Sequence, residues 1–237
     1  MRVFILLCAL LAPTVHAAAC SAVSGDTRNR LLELYTSEGC SSCPPADRWL
    51  SQLPANSGVV PLAFHVDYWD RLGWRDPFAQ AAFGQRQRAR NSGPGWVYTP
   101  QVMLDGEDFR SWQGGLPARL RAPATVSLSL EINQTPAVIE AQVESRFVSS
   151  GAARNAQVYL ALYENRLSSR ITAGENAQRT LQHDYVVRQL VGPLDPQRAR
   201  YRFAVAPGWQ LANLGVTAFV LDAQGKTMQA LMRPACP

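Results

Sequence analysis

Lysine is nearly absent from this sequence: Lys226 stands alone, and arginine carries almost all of the positive charge. The arginines are scattered through both halves without forming a run, which leaves no clustered basic face for a nucleic-acid backbone. Beyond the N-terminus no apolar stretch is long enough to cross a bilayer as a helix. Internal repeats and low-complexity segments are missing as well. There is no dinucleotide-binding or phosphate-loop motif, so no cofactor is expected and any redox cycle needs an external protein partner. Cysteine is scarce, with 5 in 237 residues, and the placement of each one therefore carries weight. What is present, 47% hydrophobic and 17% charged residues, suits a folded core and excludes a disordered chain.

The opening stretch "MRVFILLCALLAPTVHAAAC" has Arg2, an apolar run from Val3 to Ala12, a Pro13 break and small residues before Cys20. It reads as a signal peptide over residues 1–19, with cleavage after Ala17 or Ala19, and implies a periplasmic or secreted protein. A cut before Cys20 with lipidation of that cysteine is the less favoured reading, because Ala17 stands where such signals usually carry leucine. Cleavage removes Cys8 and leaves Cys20, Cys40, Cys43 and Cys236, an even set that permits disulfides in an exported protein. Cys20 and Cys236 lie at opposite ends of the mature chain, and domain termini often lie close together, so a Cys20–Cys236 bond is expected. Lipidation of Cys20 would exclude it.

Two rhythms divide the remainder. From Leu31 to about Arg121, strand and helix signals alternate: "LLELYT", a proline-started helix from Pro44, "VVPLAFHV", a helix from Asp76 to Arg90, then "QVMLDGEDF" with an Asp105-Gly106 turn. This β-α-β-α-β-β order implies a parallel crossover with helices on the sheet faces. Past Pro123, short alternating runs such as "ATVSLSLEI", "AVIEAQVESRF" and "VTAFVLD" suggest a β-sandwich. The boundary falls in Arg121–Ala124, giving units over residues 28–122 and 123–237.

The stretch "TSEGCSSCPPADRWL" places Cys40 and Cys43 where the first strand ends and the proline-started helix begins. A thiolate, not a thiol, attacks a disulfide, and the unpaired N–H groups of a helix start favour the thiolate. Cys40 is then the attacking thiol, and Cys43, one turn deeper, resolves the mixed disulfide and closes a Cys40–Cys43 bond. Downstream, "VYTPQVML" sets Thr99-Pro100 directly before a strand.

With that pair of segments in this order, the chain resembles the thioredoxin superfamily. Together with "FHVDYWDRLGWRDPF", "RQRAR" and "ITAGENAQRTLQHDYVVR", it is similar to the exported family called domain of unknown function 1223. The resemblance implies an α/β thioredoxin-like domain followed by a mostly-β, sandwich-like C-terminal domain. It also implies that Pro100 is cis, that the Thr99 backbone pairs with a substrate segment, and that the proline keeps metals from the site. Ser41-Ser42 departs from the dipeptides of familiar reductases and oxidases, and the direction of electron flow stays open.

Among the aromatics between Tyr68 and Tyr98, Trp69 and Trp96 are the candidate substrate-platform residues; core filling is the equal alternative for the group. His65 and Asp67 are candidates for proton transfer at Cys43, against a strand-end histidine and a loop cap. His183 reads as surface or structural, "RITAGENAQRT" as an exposed loop, and the second half as a spacer or docking module. Three functions remain: a thiol-disulfide oxidoreductase acting on protein or small-molecule disulfides; a soft-metal carrier gripping copper with Cys40, Cys43 and His65; and a binding protein with a structural Cys40–Cys43 bond. The first is favoured, and with it no metal site.

Overall fold

The computed structural model describes residues 18–91, 96–117 and 122–236. The expected signal peptide falls outside these residues except for Ala18 and Ala19, and Arg121 at the expected boundary also lies outside. In chain order the elements are β1 (Ala18–Val23), β2 (Arg30–Thr36), α1 (Pro44–Ser51), β3 (Val59–His65), α2 (Ala81–Arg90), β4 (Gln101–Leu104) and β5 (Glu107–Asp108). There follow β6 (Val126–Gln134), β7 (Val138–Phe147), α3 (Ser150–Ala153), β8 (Gln157–Glu164), β9 (Leu167–Arg170), β10 (Thr180–His183), β11 (Val186–Leu194), β12 (Arg198–Ala204), β13 (Leu214–Leu221) and β14 (Thr227–Pro234). No described helix is long and apolar enough to cross a membrane.

The fold is mostly β, and this corrects the expected α/β thioredoxin-like domain with a separate β-domain behind it. Strands β2, β3, β4 and β5 do not make a sheet of their own. They continue an eight-stranded sheet of order β14-β13-β8-β11-β3-β2-β4-β5, whose other half comes from the end of the chain. The join is β11 beside β3, parallel at Val186 and Ala63, with the Ala63 N–H donating to the Tyr185 carbonyl. An uncovered β3 would expose a row of unpaired backbone groups, and β11 occupies that edge. Helix is also shorter than the periodicity suggests. Asp76 does not start α2: its carboxylate accepts from the Phe78 and Glu38 N–H groups, and the helix begins at Ala81.

A four-stranded antiparallel sheet, β1-β6-β7-β12, packs over β8, β13 and β14 around Leu130, Ile132, Val143, Leu160, Val216 and Phe203. Alternation explains its sequence: along β6 the even-numbered residues from Val126 to Ile132 are buried and the intervening ones face outward. On β2 both faces are covered, which is why it reads as a continuous apolar run. Leu32 and Leu34 pack with Ala46 and Leu50 of α1. Leu31 and Tyr35 pack on the opposite face with Phe64 and with Phe83 of α2.

Glu33 shares that second face and is fully buried. Arg86 and Arg90, one turn apart on α2, hold its two carboxylate oxygens at 2.7 and 2.9 Å. Burial raises the Glu33 carboxyl, but the two guanidinium groups outweigh it and hold the group below the ordinary carboxylate range. Arg86 also lies over the Phe64, Tyr159 and Phe219 rings, and Arg90 donates to the Gly225 carbonyl, so this ion cluster ties α2 to strands from the end of the chain.

Candidate functional site

Pro44 and Pro45 occupy the first turn of α1, where no intrahelical N–H partner is lost, and Cys43 is the residue that caps it. The Cys43 carbonyl accepts from the Ala46 and Asp47 N–H groups at 2.9 and 3.2 Å, and the Cys43 N–H donates to the Cys40 carbonyl at 3.2 Å. Cys40 and Cys43 are joined as a disulfide, with Cα atoms 5.4 Å apart, and both residues are 0% exposed. Ser41 and Ser42 face solvent, and the Ser42 hydroxyl lies 3.4 Å from Cys40 Sγ.

Thr99 and Pro100 stand against this loop. Ser42 donates to the Thr99 carbonyl at 3.5 Å, the Thr99–Pro100 peptide bond is cis, and Trp69 Nε1 donates to Thr99 Oγ1 at 2.7 Å. Trp69 closes the other side: a Cβ on Gly39 would come within 3.0 Å of the Trp69 Cβ, so only glycine fits there without a shift. The segment before Pro100 is tied to α2 by fully buried Gln87, which donates to the Tyr98 carbonyl and to Gln101 Oε1, each at 2.8 Å. Trp96 lies further out and is 58% exposed. With Tyr98, Pro100, Phe109 and Trp112 it lines a cavity of about 380 Å³ next to the loop.

Glu38 and Asp47, which flank the cysteine pair along the chain, belong to a group of ionisable side chains sealed from solvent. His65, at the end of β3, meets the Asp76 carboxylate at 2.7 Å through Nδ1. His183, at the end of β10, lies 3.2 Å from Glu38 through Nε2 and 3.9 Å from Asp47 through Nδ1. The two imidazoles meet edge to face at 4.9 Å, and Trp74 donates to the second Glu38 oxygen at 2.8 Å. Among the described residues, His65 Nε2 and His183 Nδ1 have no hydrogen-bond partner. Burial lowers the His65 imidazole, but Asp76 with Asp47 and Glu38 outweighs it and leaves His65 above its ordinary value. Asp76 is held low despite its burial, chiefly by His65, whereas burial pushes Asp47 up. The arrangement can hold a proton between His65 and Asp76, and the Asp76 carboxylate also accepts the N–H of Glu38, two residues before Cys40.

His183, read from sequence as surface or structural, is thus buried against Glu38. Asp67 is elsewhere, half-buried beside Gly84 of α2, and Asp76 and Asp47 take the positions near His65 and His183. Cys40, Cys43 and His65 do not form a three-residue metal-holding group; no such group occurs among the described residues. The "GENAQR" segment is not an exposed loop throughout: Asn176 is fully buried and donates to the Glu38 and Cys40 carbonyls, each at 2.9 Å. A polar residue with no catalytic pattern gives no sign of this in the sequence.

At the chain ends, Cys20 and Cys236 form the second disulfide, with Cα atoms 5.5 Å apart, against the core between the two sheets.

The family model described as "Protein of unknown function (DUF1223)" matches residues 31–221. The chain belongs to this family. No curated protein matches it by sequence. Among solved structures, a protein from Agrobacterium tumefaciens is similar over 90% of this chain and 97% of its own, at 21% identity and a TM-score of 0.59. HBP35 of Porphyromonas gingivalis is similar over 89% of this chain and 76% of its own, at 13% identity and a TM-score of 0.63. At these identities the likeness is one of fold. The matched span of the family covers the cysteine loop, the Thr99-Pro100 segment and the Asn176 loop together.

Proposed function

We propose that this protein is an exported thiol-disulfide oxidoreductase acting through Cys40 and Cys43 on a protein or small-molecule disulfide. The observation that carries the reading is a short-range disulfide at a helix start, flanked along the chain by Glu38 and Asp47, which belong to a sealed group of titratable side chains. Ionisable groups are costly to bury, and sites for proton-linked chemistry are where they concentrate. The likeness of the Cys-x-x-Cys and Thr-Pro segments to thioredoxin-type redox sites supports it at the level of the site.

In the reducing direction the Cys40 thiolate attacks a substrate sulfur. A Cys40–substrate disulfide forms, the substrate S–S bond breaks, and the leaving thiolate takes a proton. Cys43 gives up its proton and attacks Cys40 Sγ; the Cys40–Cys43 bond forms and the second substrate thiol leaves. Two electrons pass from the pair to the substrate, and an external dithiol partner restores the pair by the reverse exchange. Thr99 is the backbone that lies beside the substrate segment, Pro100 stands beside the pair, and Trp69 and Trp96 offer the apolar platform. The apolar run after Arg2 and two disulfides in one chain support an oxidising compartment, periplasmic or extracellular.

The test is disulfide exchange with a glutathione-linked peptide, comparing the wild type with Cys40→Ser and Cys43→Ser. The reading expects loss of exchange in the first and a trapped mixed disulfide in the second; equal rates in all three sink it. One observation favours a second reading, a purely structural bond in a binding protein: both cysteines are fully buried. That reading expects no exchange under conditions that leave the fold intact.

A further inference from the structure

The connection between β9 and β10, residues 171–179, reaches the cysteine loop from the far half of the sequence. Its shape is set internally: the Ala177 N–H donates to Gly174, Gln178 to Ile171, Arg179 to Asn176, and Ile171 to Arg179. Gly174 has φ +73°, a conformation that favours glycine, and a Cβ there would come within 3.2 Å of the Trp74 Cβ. At the tip, Asn176 spends both amide hydrogens on the Glu38 and Cys40 carbonyls, and its oxygen accepts from Arg179 at 2.6 Å. Beside it, the Glu175 carboxylate accepts the Ser41 N–H at 3.0 Å.

These bonds bear on the residues whose exposure and electrostatics govern exchange. Ser41 adjoins Cys40, and its N–H is a donor from the same turn that a Cys40 thiolate would draw on; in this structure an anion holds it. Asn176 fixes the backbone on either side of Gly39, and Cys40 is fully buried.

We propose that residues Gly174–Arg179 are a latch on the Cys40–Cys43 pair, with Asn176 and Glu175 as positioning residues, so that exchange requires the latch to leave the cysteine loop. This rests on the redox reading of the pair for its biological meaning, but its chemistry is separable from it. Opening exposes the loop and frees the Ser41 N–H. It also takes a negative charge away from the backbone amide of the residue after Cys40, which favours the thiolate of the reduced pair. A partner that offers its own acceptor to Ser41 would displace Glu175 and open the site as it binds. Regulation of the redox pair is thereby placed in the half of the chain that does not carry the pair.

The test follows reduction of the Cys40–Cys43 bond by dithiothreitol in the full chain, with thiols trapped by alkylation and assigned by peptide mass. Wild type, Glu175→Ala and Asn176→Ala are compared. Each variant loses at least one charge-assisted or buried hydrogen bond, and about a tenfold faster reduction is expected for each. Hydrogen exchange at the Ser41 amide gives a second readout, with protection expected to fall in Glu175→Ala. Glu175 is exposed and its variant should lower the melting temperature by only a few degrees, so reduction measured well below the transition separates latch opening from global unfolding. Unchanged reduction rates in both variants overturn the latch. So does acceleration in Asn176→Ala that only tracks a lowered melting temperature while Glu175→Ala reduces like the wild type. A pair that reduces faster in both variants yet never exchanges with the peptide substrate keeps the latch and defeats the oxidoreductase.

Discussion

Cys236, bonded to Cys20, sits against the apolar core between the two sheets, whereas Cys40 and Cys43 stand in front of Glu38, Asp47, His65, Asp76 and His183. The first bond spans 216 positions and the second 3. In the chain-entropy account, closing the long loop stabilises the fold by about 5 kcal/mol and the short one by about 2 kcal/mol. Length and surroundings point the same way. The long bond, in dry packing, is a staple; the short one gives less to stability and adjoins Glu38 and Asp47, members of a buried titratable group. Burial of a cysteine therefore does not by itself define its job, since three of the four cysteines in these bonds are buried.

The largest effect that can break this contrast is on stability. Replacing Cys20 and Cys236 together by serine is expected to cost about 5 kcal/mol in denaturant unfolding, and replacing Cys40 and Cys43 about 2 kcal/mol. A reversed order would make the short bond the staple. Next comes the ion cluster on the α2 face of the large sheet. Glu33→Gln leaves Arg86 and Arg90 without their buried counter-charge, and a loss of about 3–5 kcal/mol is expected from the same measurement. A loss below about 1 kcal/mol would mean that the cluster contributes little to holding α2 on the sheet.

A smaller effect sharpens the electrostatic half of the comparison. Asp76 is depressed on folding, so its contribution is present above the ordinary carboxylate range and is lost as pH falls through its lowered value. His65 is raised, so its contribution is complete below about pH 6.5 and is lost as pH rises through its folded value. Asp47, raised by burial, works against Asp76 between its ordinary and folded values. Stability should therefore peak in the mildly acidic range and fall by about 1.4 kcal/mol toward alkaline pH for each unit by which His65 is raised. His65→Gln should flatten the alkaline limb; an unchanged profile removes His65 from the account.

Much of this was legible along the chain and little of it across the chain. Pro44, Pro45 and the two cysteines mark a helix start because proline tolerance is local, and Asp105 and Gly106, both at positive φ, mark their turn for the same reason. The alternation of β6 and β7 also survives in the sequence. The continuous eight-stranded sheet does not, because the pairing of Val186 with Ala63 joins residues far apart and leaves no periodic trace in either segment. The same holds for Asn176 and His183, whose partners Glu38 and Cys40 lie far earlier in the chain. Read separately, each half suggests its own small domain; read through these contacts, the second half completes the first half's sheet and covers its cysteine loop.

The central claim is that Cys40–Cys43 is a working redox pair and Cys20–Cys236 is not. Its most direct test is the reduction potential of the Cys40–Cys43 pair, set by equilibration in glutathione or dithiothreitol buffers and read by alkylation and mass. The account predicts a value above about −300 mV, within reach of biological thiol partners. A value below about −300 mV, typical of structural disulfides, would contradict it.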